Sequence, residues 1–461
     1  MSTLWSGRFD TPPDKAAFEF GASFSFDRRL FEDDVAGSIA WARAIANAGV
    51  LSANEAAQIE AALNEMLERG RSDPSFVDGT DEDVHSFVER LLVEKLGDTG
   101  RRLHNGRSRN EQVSLDLRLY LKRRIPLLQR ALVDVIAALA DQAEAAGRAL
   151  MPAFTHFRPA QPVLVAHFLL SHAAPLRRDH HRFDDARREA DRLPLGSGAI
   201  AGTAYAVDVD ALARDLGFSS IVDNSIDAAS DRDFAATFLF ASSLTMIHLS
   251  RLAEDLIILC GDEHRFFELS DALSTGSSMM PQKKNPDPLE LVRGKSGRVL
   301  GHLVGLLTTS KGLPTGYNKD LQEDKEAVFG AEDTLAGCLA VMRSIVKGLA
   351  LNRERAAAAA SGLLLATDVA DYLVGRGVPF RRAHEIVGTL VRKLIAEQRD
   401  FASLSAAEWR SASDHFEPDV AARVTPAASV AAKRTPQSTA PEAVAARLAE
   451  LRNWLQEPRM C

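Results

Sequence analysis

An all-α fold is predicted by three observations on the 461-residue sequence. Apolar side chains recur at the i, i+4, i+7 spacing of one helical face over four long stretches. Ala and Leu are abundant, while aromatic residues reach only 7%, with 22 Phe against four Trp and four Tyr; that mixture favours helix over sheet. The stretches are also long, about 30 to 40 residues or roughly 45 to 60 Å, and helices of that length bury an apolar stripe only against long partners.

Residues 1–106 read as a smaller N-terminal helical domain. From Arg109 the first long helix carries Val113, Leu117, Leu121, Leu128, Leu132, Val135 and Leu139 on one side, and Pro126 is expected to kink it. The second, from about Val163 to Leu193, places Phe168, His172, Leu176 and Phe183 on a common side and turns DDARREAD to water, with a bend expected at Pro175. The third covers Arg232 to Cys260 with Leu252, Leu256 and Leu259 inward, and the fourth runs from Pro286 to about Thr309 with Leu289, Val292 and Leu303 inward. Residues 107–360 are therefore expected to form a central bundle of long helices, and 361–461 a C-terminal helical domain. The Ala-rich ERAAAAAS at 354–361 reads as helix, and ATDVADYLVGRGVPFRRAHEIVG as helix, turn and helix. So extended an apolar bundle buries more surface by self-association, and a homotetramer is expected.

Charge and cysteine usage bound the function. With 55 basic and 63 acidic side chains the net charge is −8, which argues against a nucleic-acid partner. There is no run of about 18 apolar residues, and MSTLWSGRFDTPPDK has neither a basic n-region nor an apolar h-region, so neither a membrane span nor secretion is expected. Cys260, Cys338 and Cys461 are an odd, widely spaced set without C-x-x-C, which fits a reducing cytoplasm.

Among the motifs, Gly276-Ser-Ser-Met-Met-Pro-Gln-Lys-Lys-Asn-Pro286 is a loop running into a helical period, with Asn285 and Pro286 reading as N-cap and first helical residue. Small residues, hydroxyls, two lysines and free N–H groups at a helix start suit an anion; composition alone fits a capped surface loop equally well. His156 in FTHFRPAQP lies in a Pro-framed loop ahead of the second long helix and is a candidate acid or base. Leu103-His-Asn-Gly-Arg-Ser-Arg-Asn-Glu-Gln112 sets arginines beside a glycine turn, suited to carboxylate capture or to a solvated helix start. Tyr317 to Lys325 form a second polar cluster, of a kind usually found on a solvated face. Gly196-Ser-Gly-Ala-Ile-Ala-Gly202 is a poor dinucleotide fingerprint because it follows LPL rather than a strand, and neither His180-His181 nor Asp81 to His85 has metal-ligand spacing; no metal is expected.

Taken together these residues resemble the fumarase/aspartase superfamily and, within it, the argininosuccinate lyase family. The resemblance spans nearly the whole chain, through LWSGRF, TDEDVH, LHNGRSRNEQ, THFRPAQP, LPLGSGAIAG, SDRDF, GSSMMPQKKNP, GYNKDLQEDKE and LATDVADYLVGRGVPFRRAHE. GSSMMPQKKNP carries the superfamily, whereas GRSRNEQ and GYNKDLQEDKE favour the argininosuccinate branch. The resemblance implies a homotetramer with a core of twenty long helices, active sites shared by three subunits, and cofactor-free anti elimination of argininosuccinate to arginine and fumarate. By the same resemblance Ser277 is the proton-abstracting base, and His156, with Glu290 as its carboxylate partner, protonates the leaving nitrogen. Lys283 and Asn285 stabilise the carbanion-like intermediate. Substrate contacts fall to Ser23, Asn110, Thr155, Tyr317, Gln322 and Lys325, with Arg109 and Lys319 as further anion contacts.

The sequence departs from the family pattern at Phe157-Arg158, where Leu-Gln is usual, at Glu111 in place of Asp, and at Gln437-Ser438 ahead of Thr439-Ala-Pro441, where Gly-Gly is usual. Phe157-Arg158 lies beside His156 and motivates the alternative of another N-substituted aspartate as substrate. A non-catalytic, crystallin-like tetramer is the alternative of another class, against which the retained Ser277 and His156 stand.

Overall fold

The structure, a computed structural model, describes Thr11 and residues 14–457. LWSGRF and Cys461 lie outside the described residues. The all-α expectation holds, with 69% helix and 6% strand.

In chain order the main elements are α1 (Phe31–Asn47), α2 (Ala53–Ser72), α3 (Val84–Leu96), α4 (Arg109–Ala146), a hairpin of β1 (Leu150–Thr155) and β2 (Arg158–Leu164), α5 (Val165–Ala190) and α6 (Asp233–Cys260). There follow a two-residue ladder of β3 (Thr275–Gly276) with β4 (Lys284–Asn285), α7 (Asp287–Ser310), α8 (Glu323–Lys347), α9 (Arg353–Ala359), α10 (Ala366–Gly375), α11 (Phe380–Ala396), α12 (Pro426–Ala431) and α13 (Pro441–Gln456).

The chain forms two compact units. The first comprises the described part of Met1–Gln129, His181–Leu244 and Gly297–Leu335; the second comprises Arg130–His180, Thr245–Ser296 and Ala336–Cys461 as far as it is described.

The periodicity is confirmed in detail on α4, whose 38 residues continue through Pro126 and whose seven predicted inward residues are all buried, none more than 8% exposed. The second helix is shorter than expected: Val163 belongs to β2, α5 starts at Val165, and Arg192–Leu193 form a short strand paired with Ser220–Ile221. On its expected inner side Leu176 and Phe183 are buried, whereas Phe168 and His172 are half-buried. Helix α8 carries Val328, Leu335, Leu339, Met342 and Ile345 inward; its start, reading as a charged run, hid that period in the sequence. Gly330 on α8 faces His302 of α7 so closely that an added Cβ would meet Nε2 at 2.7 Å.

Within the first unit Phe24, Phe31, Phe76 and Phe87 pack ring on ring, with centroids 5.1 to 6.2 Å apart. Within the second, Trp409 stacks on Phe401 and meets Phe416 edge-on, inside a core of Val369, Leu373, Val387, Leu390 and Leu394.

Candidate active site

The first unit holds most of the expected substrate contacts, and it holds them in a network. Ser23 is buried, its backbone N–H donating to the Glu82 carbonyl at 2.7 Å and its hydroxyl to Asp27. Arg109, at the start of α4, faces Asp83 at 3.3 Å, Glu89 at 3.7 Å and Glu82 at 3.8 Å, and Lys319 reaches Glu82 at 3.6 Å. Gln322 donates to the Gly21 carbonyl at 3.4 Å, and Asn110 to the Ala199 carbonyl at 3.2 Å.

Lys325, only 2% exposed, lies 3.0 Å from the fully buried Asp324, which also accepts from Arg232. The solvated-face reading of this cluster therefore fails at Asp324 and Lys325. Burial works to raise the Asp324 pKa, and the Lys325 and Arg232 charges outweigh it, so the carboxylate lies below its ordinary range. Half-buried Tyr317 is pushed up, by burial first.

Two motifs set aside in the sequence take part in buried polar networks of the same unit. Gly196 and Gly198, with φ of 103° and 58°, donate their N–H groups to the Glu111 carboxylate at 2.8 and 3.0 Å, and Ser108 N–H adds a third bond at 3.0 Å. The glycine loop is thus a nest for this chain's own buried carboxylate. Burial nevertheless pushes Glu111 up to about 7 against those lowering bonds. His85, from TDEDVH, contacts Asp34 at 2.9 Å and Asp116 at 3.5 Å in a fully enclosed cluster. Asp116 is raised well above its ordinary value by burial first and then by Asp34 and Asp33, with buried Arg107 opposing.

The second unit holds the expected catalytic residues. FTHFRPAQP, expected as a loop, is the β1–β2 hairpin, in which Leu150 pairs with Leu164 at the base and Thr155 with Arg158 at the tip, with a bulge at Ala153/Phe154. His156 and Phe157 are the two tip residues, both left-handed with φ of 51° and 56°. A two-residue tip with positive φ at both positions prefers Asn-Gly; a β-carbon at each costs of order 1 to 3 kcal/mol. His156 and Thr155 are exposed, Phe157 is 84% exposed, and the His156 ring has no hydrogen-bond partner among the described residues. A cavity of about 630 Å³ lies beside the tip, lined by His156, Phe168, His172, His248 and Arg251 among others.

Ser277 opens the loop that the β3–β4 ladder closes at its base, through Thr275 with Asn285 and Gly276 with Lys284. Its Oγ accepts the N–H groups of Met279 at 3.3 Å and Met280 at 3.0 Å, an arrangement that favours negative charge on that oxygen. The two lysines differ in their surroundings. Lys284 is tied to the Leu269 carbonyl at 2.5 Å and Asp271 at 2.8 Å, whereas the Lys283 ammonium is exposed and has no partner among the described residues.

The expected cap shifts by one residue, because Asn285 lies in β4 and the Pro286 carbonyl accepts the first helical bonds, from Leu289 and Glu290. Glu290 makes no ion pair with His156 within this chain; it faces Arg293 at 3.8 Å, which also pairs with Glu254 at 2.6 Å. Sequence reasoning missed the Met279 and Met280 N–H donors and the carboxylates Asp27, Glu82 and Asp83. The run TDEDVH, read for its resemblance and set aside as a metal site, held two of those carboxylates.

Residues 7–301 match the family model described as Lyase, and residues 363–431 the one described as Argininosuccinate lyase C-terminal. Fold and match together define a lyase. The chain is 49% identical over 445 residues to the argininosuccinate lyase of Moorella thermoacetica, covering 96% of this chain and 95% of that one. It is 50% identical over 462 residues to that of Roseiflexus sp., covering 98% and 100%. The chain belongs to the argininosuccinate lyase family. A solved EDDS lyase in complex with formate superposes with a TM-score of 0.83 at 26% identity, covering 96% of this chain and 92% of that one. The 3-carboxy-cis,cis-muconate lactonizing enzyme of Pseudomonas putida, at 19% identity and a TM-score of 0.75 over 96% of this chain and 100% of that one, shares the fold.

Proposed function

We propose that this carbon-nitrogen lyase cleaves argininosuccinate to arginine and fumarate by anti elimination. Near-full-length identity to argininosuccinate lyases supports the reaction, and the N–H pair on Ser277 is the observation that carries the mechanism. Removing the proton next to a carboxylate builds a second negative charge on that carboxylate, which must meet preorganised donors and cations. Ser277 takes the proton as its alkoxide, Lys283 and Asn285 face the developing charge, and the C–N electrons leave with the guanidinium nitrogen, which His156 protonates. Glu290 orients His156. Ser23, Arg109, Asn110, Thr155, Tyr317, Lys319, Gln322 and Lys325 hold a substrate that carries carboxylates and a guanidinium and so needs partners of both signs.

A homotetramer with sites shared by three subunits fits this division of roles and supplies Glu290 to His156 from another copy. Leu291, Leu300, Val304 and Leu307 on α7 are 44 to 60% exposed, and Gly294, Gly297, Gly301 and Gly305 leave open space where a Cβ would stand. We divide the chain into domains of residues 1–106, 107–360 and 361–461, and the C-terminal family match, which begins at residue 363, supports the last boundary alone. No single helix among the described residues is long and apolar enough to cross a membrane, and we place the enzyme in the cytoplasm.

The test is fumarate release from argininosuccinate, followed by its ultraviolet absorbance. Rapid release supports the reading; none from a folded tetramer rejects it. Exposed Phe157-Arg158 beside His156 favours one second reading, a different N-substituted aspartate, which a panel of such substrates compared by kcat/KM distinguishes.

A further inference from the structure

The hairpin that presents His156 is held at its base by a residue far along the chain. Leu164, the last residue of β2, donates its backbone N–H to Thr439 Oγ1 at 2.8 Å. Leu164 is 3% and Thr439 7% exposed, so water cannot replace that acceptor. Beside it the Val165 N–H donates to the Ala149 carbonyl at 2.9 Å, closing the junction with α5. At the other end, the tip is exposed and strained, so its orientation is inherited from the base, a seven-residue strand away.

The segment carrying Thr439 is itself built. The Ser438 N–H donates to the Thr435 carbonyl at 3.0 Å, and the Ser438 hydroxyl accepts the Ala440 N–H at 3.3 Å. Neither Gln437 nor Ser438 has positive φ, so this turn does not require the glycines usual there. The hairpin is also cradled by its own unit, β1 packing on α9 and β2 on α12 and the turn Gly362–Leu365. The Thr439 bond adds a specific polar tie, and a buried N–H without an acceptor is costly to leave.

We propose that Thr439 is a positioning residue for His156, fixing the register and angle of the hairpin through Leu164. This rests on the reading of His156 as the proton donor. Thr155, a proposed substrate contact, shares the hairpin, but proton delivery is the more demanding of position, because it needs the imidazole within hydrogen-bond reach of the leaving nitrogen.

The test compares full-length wild type, Thr439→Val and Thr439→Ser as assembled proteins, by steady-state kinetics on argininosuccinate and by amide hydrogen exchange over residues 150–164. Val keeps the branched shape and loses the acceptor; Ser keeps the acceptor. Expected for Thr439→Val is a kcat lower by about tenfold with KM within about twofold, and exchange at the hairpin faster by about tenfold or more, with Thr439→Ser restoring both. Unchanged exchange in Thr439→Val, or a loosened hairpin with wild-type kcat, overturns the proposal. So does a loss that Thr439→Ser fails to rescue, or one accompanied by an equal rise in KM and a fall in melting temperature. If wild type releases no fumarate, the reading of the reaction falls with the His156 role, while the exchange comparison still decides whether Thr439 holds the hairpin.

Discussion

The hairpin tip and the Ser277 loop differ from the network around Glu82, Asp83 and Asp324 in how their polar groups are satisfied. His156 and Lys283 are exposed and unpartnered among the described residues, and His156 sits on strained backbone. Arg109, Lys319 and Lys325 are each matched by carboxylates of their own unit. In the proposed mechanism, the groups assigned to change protonation or meet new charge are those free of internal partners, while the groups assigned to recognition are locked in place beforehand. The chemistry is therefore sensitive to single side chains, and the recognition network to the loss of a counter-charge.

The sharpest test of that contrast is Ser277→Ala, expected to lower kcat by about 10⁴-fold with an unchanged melting temperature; near-normal fumarate release would remove the serine from its role. His156→Asn should lower kcat by about 10³-fold, again without loss of stability, and a large fall in melting temperature instead would make the histidine structural. Asp324→Asn should act oppositely, because it strands the buried charges of Arg232 and Lys325. A loss of about 3 kcal/mol, seen as a melting temperature lower by about 3 °C, is expected.

Glu111 gives a smaller, pH-dependent effect. Its folded pKa, about 7, lies above the ordinary 4.5, so the folded state binds the proton more tightly. The stability this group contributes is fully present below pH 4.5 and is lost as pH rises through 7. Glu111→Gln should flatten the melting temperature between pH 5 and 7 by about 2 °C, and an unaltered slope would show that Glu111 titrates normally. Smallest is Phe157→Gly, expected to raise stability by about 1 kcal/mol by relieving the left-handed tip; a fall in melting temperature would deny the strain.

What was legible in the sequence was what repeats locally. The α4 stripe from Val113 to Leu139 could be read because helical period and burial coincide over 38 residues. The hairpin could not, since Pro152, Pro159 and Pro162 argue against strand and its tip lacks the usual Asn-Gly. The glycines at 196 and 198 were visible, but their partner Glu111 lies 85 and 87 residues away. The resemblance to a family supplied Ser277, His156 and Lys283, and the folded chain adds the physical difference between the two lysines, because it brings Asp271 and Leu269 to Lys284 and not to Lys283.

The Leu164–Thr439 bond spans 275 residues, and that separation has a consequence in time. A ribosome adding about 5 to 20 residues per second needs roughly 14 to 55 s to travel from the hairpin to its anchor. Through that interval the nascent hairpin holds an N–H without its final acceptor. A truncated product ending before residue 439 therefore carries every residue assigned to the chemistry and still lacks the bond that seats the histidine, so incomplete chains are born without a set active site.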